Sequence, residues 1–305
     1  MQTLRLLFLT ISFLVFYSCS DHEEKKTIVP DSTSAINSVK IVPDSIPQFP
    51  VLNYRMIKAR SYQSLIKKFD TTGTNIILAI NRIDKNKLRT LDSLVVPDSI
   101  VNDFNMYSPF PQHVDILEKV SKIIFVSQTI QAFAVYEYGN LIKWGPTSTG
   151  KKSTPTPNGL FATNWKSKQT VSTDNDEWIL KWCFNIENFS GVSLHEYELP
   201  GYPASHACAR LLADDAKWIY YWADQWILTA DGENIIVYGT PVIIFGKFDF
   251  KGVKPWRLLP FDKEKAQIDN DELAKEIQEH ILTILKRQEE REKTLALNVD
   301  TSSIK

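Results

Sequence analysis

The sequence is short of three things, and each shortage closes off a class of function. Cysteine occurs only as Cys19, Cys183 and Cys208 among 305 residues, too few to complete a multi-cysteine metal pattern. Charge of one sign is not in surplus. The 35 Lys and Arg stand against 36 Asp and Glu, a formal net charge of -1, which argues against a nucleic-acid partner. A membrane-spanning run is missing as well: the apolar stretch from Leu6 to Tyr17 is shorter than the ~20 residues a spanning helix needs. It has the length of the apolar core of an export signal. What remains is an ordinary globular composition, 43% hydrophobic and 23% charged, enough for one good core and a smaller module.

The first residues point to a compartment. Arg5, the apolar run and then Ser18-Cys19 resemble a bacterial lipoprotein signal, in which the cysteine is diacylated and becomes the mature N-terminus. That resemblance implies a signal peptide over 1–18 and lipidation of Cys19. The protein would then sit in the cell envelope on a membrane anchor, on the periplasmic face of the outer membrane or exposed on it. Residues 19–50 read as a flexible tether, rich in Ser, Pro, Asp and Lys without apolar periodicity. Ile28-Val29-Pro30-Asp31-Ser32 recurs at Ile41 to Ser45 and, altered, at Val95 to Ser99, too irregularly to mark a repeat fold.

Residues 51–100 form the next unit: an extended piece, helices near Tyr62 to Phe69 and Thr74 to Asn81, and a strand at Leu94 to Val96. This βααβ order, with Ile76-Ile77-Leu78-Ala79-Ile80-Asn81 and Leu88-x-x-Leu91-x-x-Leu94, resembles a LysM module, a fold that binds cell-wall glycan strands. From Lys122 onward short strands dominate: Lys122 to Val126, Ala132 to Tyr138, Leu141 to Thr147, Gly159 to Asn164, Trp178 to Ile186, Gly191 to Leu194, Asn234 to Tyr238 and Val242 to Phe245. One helix interrupts them, Asp214 to Trp226, with Trp218, Trp222 and Trp226 on one face as core packing. The fold expected is mainly β with α (α+β): a β-sandwich over 118–250, the small βααβ module before it, and a C-terminal extension over 251–305. That extension carries an amphipathic helix, Asn270 to Lys293, expected to dock on the domain before it.

Chemistry concentrates in Ser205-His206-Ala207-Cys208-Ala209-Arg210, ten residues after His195. A thiol, two imidazoles and a guanidinium are the parts of an acyl-transfer site: a nucleophile, a base, and a cation for a carboxylate. The stretch resembles the Ser/Thr-His-Gly-Cys-x-Arg/Asn signature of the L,D-transpeptidase catalytic domain, the YkuD type. Ser148-Thr149-Gly150 followed by Thr154-Pro155-Thr156-Pro157-Asn158-Gly159-Leu160-Phe161 upstream, and Gly239-Thr240-Pro241-Val242-Ile243-Ile244 downstream, resemble two further segments of that family in the right order. Ala207 departs from it, standing where the family has glycine, and would be strained if the position needs a positive φ. The interval from His195 to Ser205 is also short, which implies a trimmed loop.

The resemblance implies the reaction. Cys208 would attack the carbonyl of the third-position diamino acid of a peptidoglycan stem tetrapeptide, D-alanine would leave, and an amine would resolve the thioester into a cross-link; no cofactor or metal is called for. His195 would be the base. His206 and Ser205 would shape the oxyanion region, Arg210 would hold a substrate carboxylate, and Gly201, Tyr202 and Pro203 would form the loop over the thiol. Alternatives stay open at this point: a hydrolase of the same fold that passes the thioester to water, or a non-catalytic wall-binding lipoprotein. Zinc held by His195, His206 and Cys208 lacks a completing ligand. A nucleotide loop at Gly145 to Lys152 has Lys152 where magnesium needs a hydroxyl, and Pro155 and Pro157 break the helix it would need. Cys183, in Trp178 to Phe184, reads as a small buried hydrophobe.

Overall fold

The computed structural model describes residues 52–172, 175 and 177–302, so the expected signal, Cys19 and the tether lie outside the described residues. Tyr54–Lys58 (β1) and Ser93–Pro97 (β2) pair antiparallel, with Tyr62–Ile80 (α1) between them. α1 is two helices in one. Asp70 leaves the helical region at φ 58, and its carboxylate accepts the Gly73 N–H at 2.8 Å, capping the second half. The βααβ order is therefore present. Leu65, Ile77, Leu88, Leu94 and Val96 give the unit a small core of its own. The opposite side of α1, Ile76, Ala79 and Ile80, is buried in the larger core of the sheet that follows, so the unit does not stand apart from it.

That sheet is built from Ile123–Ser127 (β3), Ala132–Glu137 (β4), Asn140–Ser148 (β5), Gly159–Ala162 (β6), Lys166–Val171 (β7), Ile179–Glu187 (β8), Val192–Glu196 (β9) and Ala209–Leu211 (β10). After Ala213–Trp222 (α2) and a hairpin of Ile227–Leu228 (β11) and Ile235–Val237 (β12), Pro241–Phe245 (β13) returns to it. The nine strands hydrogen-bond in the order β6-β13-β3-β4-β5-β10-β9-β8-β7. The expected β-dominated α+β fold is present, and its sandwich is made by one sheet that curls until its halves face each other. Ile124, Val126, Phe133, Val135 and Val242 from one half meet Phe184, Leu194, Ala209 and Leu211 from the other, with Ala216 and Ile219 of α2. The alternate residues Phe125, Tyr136 and Phe245 face the other way, toward α1 and the C-terminal helices. A strand buried on both faces needs an unbroken apolar run, and Ile123-Ile124-Phe125-Val126 is one.

Two helices differ from expectation. α2 ends at Trp222, so Trp226 lies beyond it, while Trp218 and Trp222 stack at 5.3 Å and 17°. The C-terminal helix is two, Asn270–Gln278 (α3) and Ile281–Ser302 (α4). Between them the Ile277 carbonyl accepts the N–H of both Glu279 and His280, tightening the turn and redirecting the chain. Docking of this extension is as expected. Leu273, Ile277 and Ile284 enter the main core, Gln288 accepts the Ser121 N–H at 2.8 Å, and Arg287 lies 3.8 Å over the Tyr238 ring. No helix among the described residues is long and apolar enough to cross a membrane.

Candidate active site

β5 runs into Thr149-Gly150-Lys151, and this corner holds the nucleophile loop. Ala204 and Ser205 donate their N–H groups to the Thr149 carbonyl at 2.9 and 3.0 Å, and the Lys151 N–H donates back to the Ser205 carbonyl at 2.9 Å. Gly150 has no room for a side chain: a Cβ would lie 2.2 Å from the Thr154 carbonyl. Its N–H donates to Thr156 Oγ1 at 2.8 Å, and that hydroxyl donates to the Ala207 carbonyl at 2.7 Å. Gln131 fixes Thr149 from behind with two bonds, at 2.8 and 2.9 Å. Two of the three motifs thus meet in space. The third does not reach the site. Gly239, where a Cβ would lie 2.0 Å from the Thr163 carbonyl, leads into β13, which joins β6 to β3.

Ala207 sits in this loop at φ 77, the left-handed region that glycine enters freely and alanine does not. The loop tolerates it because both ends are tied. Thr156 holds the Ala207 carbonyl, and Ser205 Oγ donates to the Cys208 carbonyl at 2.5 Å. Ser205 lines the cleft but is 2% exposed, and its hydroxyl proton is committed to the backbone. It shapes the loop from within.

β10 lies parallel to β9, with Ala209 opposite Leu194 and Arg210 opposite His195. Ala209 and Leu194 point into the inner core, so strand alternation turns His195 and Arg210 to the other face. There a cleft is lined by His195, Cys208, Arg210, His206, Trp178 and Tyr197. Cys208 is a half-buried thiol outside any disulfide among the described residues, and its S–H donates to the Gly191 carbonyl at 3.5 Å. His195 is 4% exposed. Its Nδ1 lies 2.9 Å from the Glu196 carbonyl, so Nδ1 carries the proton and Nε2 is the basic nitrogen. Burial pushes this imidazole down to about 4; the bond to Glu196 opposes the shift and the Arg210 charge adds to it. At neutral pH it is an uncharged base.

Arg210 lies 4.4 Å over the Tyr197 ring and has no carboxylate within ion-pair distance among the described residues. Burial lowers its pKa, against which Tyr197 and then Cys208 hold the charge. His206 accepts from Lys151, with Nζ 2.6 Å from its Nε2, and its ring is 4.9 Å from that of Trp178. Its Nδ1 is buried without a hydrogen-bond partner among the described residues. Lys151, Trp178 and Tyr197 were not foreseen as site residues. The signal for Lys151 was its place directly after Ser148-Thr149-Gly150; Trp178 and Tyr197 gave none, being aromatic residues in and beside apolar strands.

Gly201 and Tyr202 do not line the cleft that holds the thiol. Gly201, at φ 79, turns its backbone toward Ile83, where a Cβ would lie 3.0 Å from the side chain, and it lines a different cavity. Tyr202 is 48% exposed with the Lys254 ammonium 5.3 Å from its ring. The cause is the short interval after His195, which is drawn away from the cleft by the N-terminal unit. Ile83 bridges to Pro200, Asp84 exchanges bonds with Leu199 at 3.1 and 2.8 Å, and Lys87 pairs with Glu198. Among the described residues the His, Asp and Glu ligand atoms that gather closely are those of exposed His113, Asp115 and Glu118, not His195, His206 and Cys208. Cys183 is buried, and burial pushes its thiol up, as a packing residue requires.

Residues 121–244 match the family described as the L,D-transpeptidase catalytic domain, YkuD. Solved L,D-transpeptidase structures are similar over part of the chain. One from Stackebrandtia nassauensis is 24% identical, covering 42% of this chain and 57% of its own, with a TM-score of 0.34. L,D-transpeptidase 1 of Mycobacterium tuberculosis is 25% identical, covering 42% and 63%, with a TM-score of 0.31. One from Mycobacterium smegmatis is 20% identical, covering 42% and 59%, at 0.32. In each case the chain spans less than two thirds of the other protein. Among curated protein sequences none matches the chain.

Proposed function

We propose, from the premise that residues 121–244 carry an L,D-transpeptidase catalytic domain, that this chain acylates itself at Cys208 with a peptidoglycan stem tetrapeptide and passes the acyl group to an amine. The observation that carries the reading is the register of β9 and β10, which sets His195 beside Arg210 in the cleft that also holds Cys208. His195 Nε2 takes the thiol proton as sulfur attacks the carbonyl of the third residue. The tetrahedral intermediate then collapses, the C–N bond to D-alanine breaks, and the imidazolium returns its proton to the departing amine, leaving a thioester. An acceptor amine repeats the sequence in reverse, displacing sulfur and forming the new amide. The starting pair is thiol and neutral imidazole, since burial disfavours the imidazolium. Proton transfer therefore accompanies attack. The Nδ1 of His206, buried and unpartnered, is a donor for the developing oxyanion, and Arg210 is a planar fork for a substrate carboxylate.

The test is incubation of the full chain with defined muropeptides and identification of products by mass spectrometry. A cross-linked dimer with release of D-alanine is expected, and Cys208→Ser should abolish it while leaving the melting temperature near that of the parent. Shortened stems without dimer would replace the amine by water and make the chain a hydrolase. Turnover in a folded Cys208→Ser variant would refute the nucleophile. A carbapenem, whose strained amide mimics the acyl donor, should label Cys208 and not buried Cys183. Anchoring through Cys19 is proposed on the sequence alone and is read by palmitate incorporation that Cys19→Ser removes.

A further inference from the structure

A second cavity lies behind the catalytic loop, between the end of the N-terminal unit and the segment after β13. It holds about 340 Å³. Asn81, Asp92 and Ser93 form one wall, Gly201 another, and Lys254, Trp256 and Arg257 the third. Most of the polar atoms here are already spoken for. The Asn81 amide bonds Ile77 and Val95 backbone, and Arg257 donates to the Ser93 carbonyl and hydroxyl, both at 2.6 Å.

Lys254 is the exception. It is half-buried, its ammonium lies 5.3 Å from the Tyr202 ring and 5.9 Å from that of Trp256, and it has no hydrogen-bond or ion-pair acceptor among the described residues. Burial and then the Arg257 charge lower its pKa, the mark of a cation with nothing opposite to it. Asp92 is the acid on the walls, and it offsets Arg257. Two cations and one acid leave one uncompensated positive charge facing the cavity. A half-buried ammonium is costly unless something negative completes it.

We infer that this cavity binds a carboxylate, the C-terminus of a short peptide or a small free organic acid, with Lys254 as its counter-charge and aromatic walls excluding water around the pair. The assignment does not rest on the catalytic reading. Its wall at Gly201 is the back of the segment leading to Ser205, so the ligand would lie against the chain that carries the nucleophile, outside the cleft.

The test is isothermal titration of the full chain with N-acetyl-alanyl-alanine, its C-terminal amide, and acetate. Saturable binding of the acid is expected, weakened at least about tenfold in the amide and in Lys254→Gln, as loss of a charge-assisted contact requires. Lys254→Arg should retain it. The Lys254 ammonium faces only aromatic rings and carries an uncompensated charge, so neither variant should melt below the parent. Acetate binding as tightly as the peptide assigns the site to small acids; a clear preference for the peptide assigns it to peptide termini. No saturable binding of either acid, or binding that Lys254→Gln leaves unchanged, overturns the inference.

Discussion

Lowering the pH from 7.5 to 5.5 should destabilise this protein through His195. The imidazole is pushed down to about 4 in the folded chain, against about 6.5 when unfolded. A depressed folded pKa means that the unfolded chain binds the proton first. The stability from keeping His195 neutral is therefore complete above pH ~6.5 and is lost as the pH falls toward 4. The whole gap is about 3 kcal/mol at 1.36 kcal/mol per unit, of which roughly 1 kcal/mol is lost by pH 5.5. Carboxylates titrate lower and blur the raw curve, so the measurement is a difference: urea unfolding of the parent and of His195→Gln at both pH values. The parent should lose about 1 kcal/mol more than the variant across the interval. Activity should fall on the acid side with a midpoint well below 6.5, because the neutral base is the working form. Equal pH slopes in parent and variant, together with an acid limb near 6.5, would show that His195 is neither desolvated nor held as the structure places it.

Ala207→Gly should raise stability by up to ~1 kcal/mol, since alanine at φ 77 carries ~1–2 kcal/mol of left-handed strain and glycine gives back part through its freer unfolded chain; a fall in melting temperature would mean that the loop does not need that φ. Arg210→Lys should raise KM for stem peptide with little change in kcat, because the ammonium keeps the charge but loses the two-donor fork; the reverse split would move Arg210 from substrate holding into the chemistry. Arg82→Met should cost ~1–3 kcal/mol, read by urea unfolding, because the buried guanidinium donates to the Ile130 and Ala79 carbonyls at 2.9 and 2.7 Å and the Met side chain cannot.

The catalytic half of the fold was legible because its strands are apolar on both faces: Ile123 to Val126 and Val242 to Phe245 can hardly be anything else. Two strands of the nine-stranded sheet were not. β7, Lys-Ser-Lys-Gln-Thr-Val, is an edge strand with no buried face to impose alternation, and β10 is three residues held by its neighbours. Yet β10 is what places Arg210 opposite His195. The motif pointed to the residues while the local pattern missed the strand that aligns them. The Ala207 departure was legible as a conditional statement about φ, which only the backbone could resolve. Lys151 beside His206 was hidden because their contact spans 55 residues, a distance no local period can report. Gly201 and Tyr202 were misplaced for a related reason: the short interval after His195 fixes how long the loop is, not which surface it follows.

That surface is supplied by the N-terminal unit. Asp84 does two things at once: one carboxylate oxygen caps the turn after α1 by accepting the Asn86 N–H at 2.7 Å, and the other accepts the Leu199 N–H at 2.8 Å. The turn that ends α1 and the loop that leaves β9 therefore share one anchor, reinforced by the Ile83–Pro200 bridge. Arg82, between them and 2% exposed, reaches the Ile130 carbonyl beside β4, next to the Gln131 that holds Thr149. Both ends of the nucleophile loop, Pro200 before it and Thr149 beneath it, are thus braced through residues 81–84 or their immediate neighbours. A loop with few residues can hold an alanine at a glycine position only if the strain cannot relax by moving the loop as a whole. In this chain the βααβ unit supplies that restraint.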